Sequence, residues 1–263
     1  MNIIVLVKQV PNTTEVKLDP KTGNLIREGI ESIINPDDRH ALEAAVKLRQ
    51  ERGGKITVLS MGPPQAVDAV SEAMGMGADE GVLLTDRAFA GADTWATSTT
   101  LGMAIRTIGE FDLILCGRQA IDGDTAQIGP QLAEYLGVPQ VSYVFDIEEV
   151  QKASITVKRR LEDGFERIRC TLPALLTVIG ELNRPRYPRV DQLIDACREN
   201  ARVRVWNAAD IGAQSRDMGL DGSLTNVIKT FAPKFQRQGE ILQGDAKTAV
   251  KTLVGKMREN RLI

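Results

Sequence analysis

Four short apolar runs, separated by longer stretches of helical pattern, constrain this chain more than any other feature of it. The runs are residues 3–10 (IIVLVKQV), 55–61 (KITVLSM), 81–85 (GVLLT) and 111–117 (FDLILCG), and the helical patterns cover 37–52, 63–76, 92–109 and 125–137. Strands this apolar cannot face water on either side, so their alternation with helices predicts a mostly parallel, doubly wound sheet covered on both faces. Asn35-Pro36-Asp37-Asp38 supplies a cap residue and then proline at the first helical position, which specifies the start of the first helix. Between the first strand and this helix, residues 16–29 hold two short extended pieces around Pro20-Lys21-Thr22-Gly23-Asn24 and read as an excursion hairpin.

After Pro139 the character changes to extended segments at 141–150, 153–164, 165–172 and 173–180, the second and third joined across Glu162-Asp163-Gly164 in hairpin fashion. These are expected to add antiparallel strands to the sheet. From Asn183 onward the pattern weakens through a Pro- and Arg-rich stretch and a Gly- and Asp-containing one, until a terminal helix is expected at 244–259. A weakly patterned tail of this kind is either an arm that packs on a partner or a tail folded on its own domain.

Composition removes whole classes of function. Lys and Arg number 33 against 35 Asp and Glu, a formal charge of -2, so nucleic acid is disfavoured as a partner. No run approaches the roughly 18 to 20 apolar residues of a membrane-spanning helix, so no membrane insertion is expected. The start, MNIIVLVKQV, has no basic leader or small-residue cleavage site, and a cytoplasmic location is expected. Cys116, Cys170 and Cys197 are scattered and form no CxxC, which argues against disulfides, iron–sulfur clusters and structural zinc. The single histidine, His40, sits in the first turns of the first helix and reads as structural or as a ligand contact. Side-chain hydrolysis therefore lacks its usual groups, and a bound cofactor with its own chemistry becomes the better reading.

In an open parallel sheet, ligands bind beyond the carboxyl ends of the strands. The loops leaving the four strands are Lys8 to Pro11, Ser60 to Pro64, Asp86 to Thr94 and Gly117 to Thr125. In the last, Asp124 or Thr125 is placed to cap the next helix, leaving backbone N–H groups and a hydroxyl for a phosphate. AFAGADTWATSTT repeats the pattern, with Asp93 or Thr94 as cap and Thr94, Thr97 and Ser98 as hydroxyls. Each loop alone is consistent with an ordinary helix cap; two at the same end of one sheet favour a nucleotide. There is no GxGxxG after the first strand and no GxxxxGK[ST] anywhere, so neither a standard dinucleotide site nor a P-loop is present.

VKQVPNT, INPDDRHALEAAVKL, LSMGPPQA, AMGMGADEGVLL and LILCGRQAIDGDTAQIGPQLAEYLG resemble, in order and spacing, the small (beta) subunit of electron-transfer flavoproteins. A second signature lies in VKRRLEDGFERIRCTLPALLT (157–177), whose basic residue, acidic-glycine turn and later proline before an apolar pair fit the same family. The resemblance implies a sheet of the adenine nucleotide alpha hydrolase-like type with an added antiparallel hairpin and a C-terminal partner-wrapping arm. It also implies residues 1–182 as the nucleotide-binding domain, 183–200 as a partner recognition loop and helix, and 201–263 as an arm on the alpha subunit. A redox FAD would sit on the alpha subunit, and the beta subunit would hold either AMP or a second FAD. Members with AMP link acyl-CoA dehydrogenases to a quinone reductase. Those with a second FAD split electron pairs from NADH between ferredoxin or flavodoxin and a higher-potential acceptor.

Gly123-Asp124-Thr125-Ala126 stands where AMP-type members carry an acidic run, and the GADT of AFAGADT is similar to a segment of the bifurcating members, with Ala90 at a position where those have glycine. The resemblance thus favours FAD over AMP. It places Leu6, Val7 and Lys8 by the adenine or ribose, Asn35 and Asp38 on the adenosine part, and Met61 and Gly62 in the same pocket. The diphosphate would lie on Gly123, Asp124, Thr125, Ala126 and Gln127 and on Asp93, Thr94 and Thr97. Cys116 and Gly117 would close the strand end, with Arg118 or Gln119 near the flavin ring to tune its potential. NRPRYPRVDQLIDACR resembles the recognition loop that docks on partner dehydrogenases, with Val190 as anchor supported by Leu193 and Ile194. The rival from another class is a stress-protein-like nucleotide sensor, which shares the sheet but needs no alpha partner.

Overall fold

The computed structural model describes residues 1–12, 31–198, 203–229 and 239–263. They form two compact units, Met1–Val227 and Ile228–Ile263. The excursion expected at 16–29 lies outside the described residues. Its base is a small antiparallel pair, in which Gln9 faces Ile34 and Pro11 faces Ser32.

The strands of the first unit are β1 (Asn2–Leu6), β2 (Gln9–Pro11), β3 (Ser32–Ile34), β4 (Lys55–Met61), β5 (Glu80–Leu84), β6 (Leu113–Gly117), β7 (Gln140–Val150), β8 (Ser154–Leu161), β9 (Gly164–Thr171), β10 (Ala174–Val178) and β11 (Val203–Trp206). Its helices are α1 (Pro36–Arg52), α2 (Val67–Gly75), α3 (Thr94–Ile108), α4 (Ile128–Leu136) and α5 (Val190–Ala196). The main sheet runs β11-β5-β4-β1-β6-β10-β7-β8-β9 and is parallel from β11 to β7. Side-chain alternation divides its core. Ile3, Val5, Ile56, Val58, Leu113 and Leu115 face Leu42, Ala45 and Val70 of α1 and α2, while Ile4, Leu6, Leu59 and Ile114 face Leu101, Ile105 and Leu132 of α3 and α4.

Three expectations change. The run at 3–10 is broken at Val7-Lys8, where the chain leaves the main sheet before β2. The segments after Pro139 are not uniformly antiparallel: β7, β8 and β9 form a meander, but β10 returns to fill the slot between β6 and β7 and is parallel to both. An all-buried Ala-Leu-Leu-Thr-Val strand satisfies two parallel neighbours and two covered faces. Val203–Trp206, expected in the arm, is instead the edge strand beside β5. In the second unit, α6 (Ala246–Glu259) starts at Asp245, whose carboxylate accepts from Thr248 N at 3.0 Å and Thr248 Oγ1 at 2.8 Å. None of α6 is buried.

Candidate functional site

The chain winds from β1 through β4 to β5 on one side and reaches β6 on the other, so the direction of winding reverses between β1 and β6, where a crevice opens at the strand ends. Asp38, in the first turn of α1, spans it. One carboxylate oxygen accepts Lys8 N and the other accepts Gly117 N, each at 2.9 Å. A Cβ on Gly117 would fall 2.5 Å from Asp38 Oδ1 and 2.7 Å from Asp37 Cβ, so this strand end approaches α1 only as glycine. Burial pushes the Asp38 carboxyl up to about 7, against the pull of those N–H donors and of Asn35. Burial likewise raises the Cys116 thiol, with the Asp38 charge adding to it, so Cys116 is a wall group and not a thiolate.

Asn35 precedes α1 but makes no side-chain cap. Its Nδ2 donates to Gln119 O at 2.9 Å and its Oδ1 accepts Ile121 N at 3.1 Å, so both ends of one buried amide pin the loop after β6. Asn35, expected on the adenosine part, is itself fully buried. The helix after this loop begins at Ile128 and is not capped by Asp124 or Thr125 as expected. Asp124 instead accepts from Gln119 Nε2. Asp124 and Ala126 have positive φ values of 54° and 53°, followed by right-handed Gln127. Such alternation turns successive N–H groups into a concavity that suits an anion. Among the described residues, the backbone N–H groups from Thr125 through Gly129 meet no acceptor. Gly129 lets α4 lie against β10, since a Cβ there would sit 2.4 Å from Thr177 Cγ2.

The start of α3 is arranged differently. Asp93 caps it by accepting Ala96 N at 2.9 Å, and its other oxygen accepts both Thr225 N and Thr225 Oγ1 at 2.9 Å. Its own N–H donates to Ser223 Oγ at 2.8 Å. Burial raises this carboxyl, but those hydrogen bonds outweigh it and hold it below the usual range. Thr94 Oγ1 donates to Gln127 Oε1 at 2.9 Å, tying the starts of α3 and α4 together.

These elements enclose a cleft of about 1280 Å³. Leu6, Val7, Lys8, Asp38, Met61, Gly62, Asp93, Thr94, Thr97, Cys116, Gly117, Arg118, Gln119 and Gly123 to Gln127 all line it, whereas Asn35 and Ser98 do not, the buried Ser98 Oγ donating to Thr94 O at 2.7 Å. Lys8 Nζ is paired with Asp122 at 2.7 Å. Sequence reasoning missed Thr225 and Asp122. Thr225 lies 132 residues from its Asp93 partner, and no local pattern marks it. Asp122 stands inside the informative loop, but its pairing with Lys8 is set by the strand order. His40 lies away from the cleft, its Nδ1 3.1 Å from Asn183 Oδ1 while Asn183 Nδ2 donates to the His40 carbonyl, a structural arrangement.

Comparison with known proteins identifies the family. The Electron transfer flavoprotein domain matches residues 22–211. The chain is 52% identical over 263 residues, covering all of both chains, to the electron transfer flavoprotein subunit beta of Thermoanaerobacterium thermosaccharolyticum. It is 49% identical over 265 residues to the caffeyl-CoA reductase-Etf complex subunit CarD of Acetobacterium woodii, and 42% identical over 269 residues to the acryloyl-CoA reductase electron transfer subunit gamma of Anaerotignum propionicum, again across all of each chain. The chain belongs to the electron transfer flavoprotein family. Its relatives include an electron transfer flavoprotein beta subunit and subunits of CoA-ester reductases, and the nucleotide-sensor alternative loses its basis. Among the described residues no helix is long and apolar enough to cross a membrane.

In this electron transfer flavoprotein chain the expected docking segment is anchored by Arg186, whose Nε and backbone N donate to the buried Glu43 at 2.7 and 3.1 Å, and by Arg189 N on Gly75 O at 2.8 Å. Burial raises the Glu43 carboxyl, but Arg186 overrides it and the net shift is downward. Leu193 packs against Gly75 of α2. Val190 and Ile194, one turn apart, remain exposed. Three residues expected to act together are thus divided between an internal contact and an outward face.

Proposed function

We propose that the cleft holds FAD and that the chain is the beta subunit of a bifurcating electron transfer flavoprotein in the cytoplasm. NADH supplies the electrons, an alpha subunit completes the heterodimer, and ferredoxin or flavodoxin and an acyl-CoA or related dehydrogenase receive them. The observation that carries this reading is the row of unpartnered N–H groups from Thr125 to Gly129 at the start of a helix. Such a row, with the helix dipole behind it, is a site for a diphosphate. A Cβ at Gly123 would meet no protein atom within 4 Å, so the loop leaves space beside the row. The cleft, at about 1280 Å³, exceeds the range of about 300–1,000 Å³ typical of small-ligand pockets, which suits a dinucleotide better than AMP.

Bound there, FAD supplies one- and two-electron transfer, and the protein supplies placement and charge. Leu6, Val7, Lys8, Met61 and Gly62 border the adenosine end. Asp38 acts by fixing the Lys8 and Gly117 backbones, and Asp93 by capping α3, whose Thr94 and Thr97 hydroxyls flank the diphosphate. Arg118 and Gln119 stand towards the ring. The partial names of the relatives, two of them subunits of CoA-ester reductase complexes, support a dehydrogenase-linked role.

The deciding experiment is acid extraction and chromatography of the co-purified complex with the alpha subunit after saturation with FAD. Two FAD per heterodimer without AMP is expected; one FAD with one AMP establishes the simple carrier instead. For docking, Val190→Asp is expected to impair electron exchange with the dehydrogenase and leave flavin content intact. Equal loss of both means misfolding and removes Val190 as the anchor.

A further inference from the structure

The donors of the Arg118 side chain meet no hydrogen-bond acceptor among the described residues, and the side chain has one long ion pair, to Asp37. Among the described residues it makes no side-chain hydrogen bond, its Nε is buried without a partner, and its nearest carboxylate, Asp37 Oδ2, is 3.8 Å away. Its backbone N–H is fixed on Val178 O at 2.8 Å, and the residue lines the cleft. The other cationic side chain from a neighbouring strand end, Lys8, is already paired with Asp122.

Beneath the guanidinium lies the ring of Tyr143, with its centroid 5.6 Å from Arg118 Cζ, within reach of a cation–π interaction. Tyr143 has φ 60°, the left-handed region that any residue with a Cβ avoids and a bulky aromatic one avoids most. The pairing of β7 with β10 slips here, between Leu176 and Val178, and the Tyr143 N–H is taken by Thr177 Oγ1 at 3.2 Å. Bulges re-aim side chains, and strain of this kind persists only where the surroundings enforce it. β7 slips against β8 as well, between Val144 and Asp146, and at this irregular stretch the ring of Tyr143 lies at Arg118.

We propose that Tyr143 is a positioning residue, its strained bulge placing the ring under Arg118 so that the guanidinium projects into the cleft as the cationic contact for an anionic or acceptor-rich part of the nucleotide. The ligand part of this inference rests on the cleft being a nucleotide site; the placement of Arg118 does not.

The test uses the co-purified complex with the alpha subunit, titrated with FAD. Tyr143→Leu is expected to weaken FAD binding to the beta subunit about fivefold, from loss of the ring contact. Tyr143→Phe keeps wild-type binding, because the ring and not the hydroxyl does the positioning. In an Arg118→Gln background Tyr143→Leu adds no further loss. Multiplying losses, or Tyr143→Phe as weak as Tyr143→Leu, overturns the proposal. Should Tyr143→Leu fail to fold, Tyr143→Gly, which adopts the same φ without strain, is expected to fold with the same binding loss, and wild-type affinity in it overturns the proposal. A readout without ligand separates the two readings. In arginine-labelled complex the Arg118 Nε–H resonance, identified by its loss in Arg118→Gln, should carry a ring-current shift in wild type and Tyr143→Phe that vanishes in Tyr143→Leu. An unmoved resonance overturns the positioning role while the nucleotide reading stands; a moved resonance in a complex that takes up neither FAD nor AMP upholds the positioning role and removes the nucleotide reading.

Discussion

The starts of α3 and α4 carry nearly the same letters, Gly-Ala-Asp-Thr in one and Gly-Asp-Thr-Ala in the other, and the fold uses them in opposite ways. At α3 the aspartate is spent: both oxygens and its own N–H are engaged, two of the three sets of partners coming from Ser223 and Thr225. At α4 the aspartate N–H donates to Ala120 O at 2.9 Å and its carboxylate bonds only to Gln119, the helix starts later, and among the described residues the N–H groups from Thr125 to Gly129 have no acceptor. A Gly-Asp-Thr signature therefore does not by itself mark an anion site. What decides is whether a distant segment arrives to satisfy it.

The sharpest way to break this contrast is a pair of alanine substitutions. Asp93→Ala is expected to cost about 2 kcal/mol of stability in urea unfolding of the complex, through loss of a cap and two further hydrogen bonds. Asp124→Ala should cost about 0.5 kcal/mol or less, the level of an ordinary surface change. Equal costs mean that the two starts are equivalent after all.

A second test uses pH. Asp93 is held below its ordinary value, so its contribution is present above about pH 4 and is lost only as pH falls further. Asp38 runs the other way. Its carboxyl is raised from 3.8 to about 7, so in that window the folded state keeps a proton that the unfolded chain has released, and stability falls as pH rises. Between about pH 5 and about pH 7 the wild type should lose stability relative to Asp38→Asn, by at most about 1.4 kcal/mol per pH unit. Parallel slopes would show that the Lys8 and Gly117 N–H groups keep Asp38 ionised throughout.

The smallest effect separates the two threonines. Thr94→Val removes the tie to Gln127 and should lower both stability and FAD retention, by about 1 kcal/mol in each. Thr97→Val, whose hydroxyl has no partner among the described residues, should lower FAD retention alone, by about 1 kcal/mol or less. Full FAD occupancy in the double variant would remove both from the site.

The strands β1, β4, β5 and β6 and the helices that cover them were readable because each is a local pattern of sufficient length, and their carboxyl-end loops followed from topology. The parallel return of β10 was not. Ala174–Val178 is an apolar run compatible with either direction, and its place between β6 and β7 depends on which slot the meander leaves open. Val203–Trp206 is too short to declare itself as an edge strand. Within the site, the loops around the cleft followed from topology, the individual lining residues from the family resemblance and the Asp93 cap from the local pattern, whereas the long-range partners of Asn35 and Asp93 were not legible. Both read as caps at helix starts, and only the folded chain brings them the distant backbone and hydroxyl partners that engage them.

The seal on Asp93 makes two segments far apart in sequence into one unit of inheritance. A chimera that imports the loop at 86–97 from a relative without the matching residues 219–225 would leave a carboxylate bare at the mouth of the cleft, facing whatever anion the α4 start attracts. Exchange of either piece alone is expected to fail, and exchange of both to succeed, although neither piece looks incomplete when read by itself.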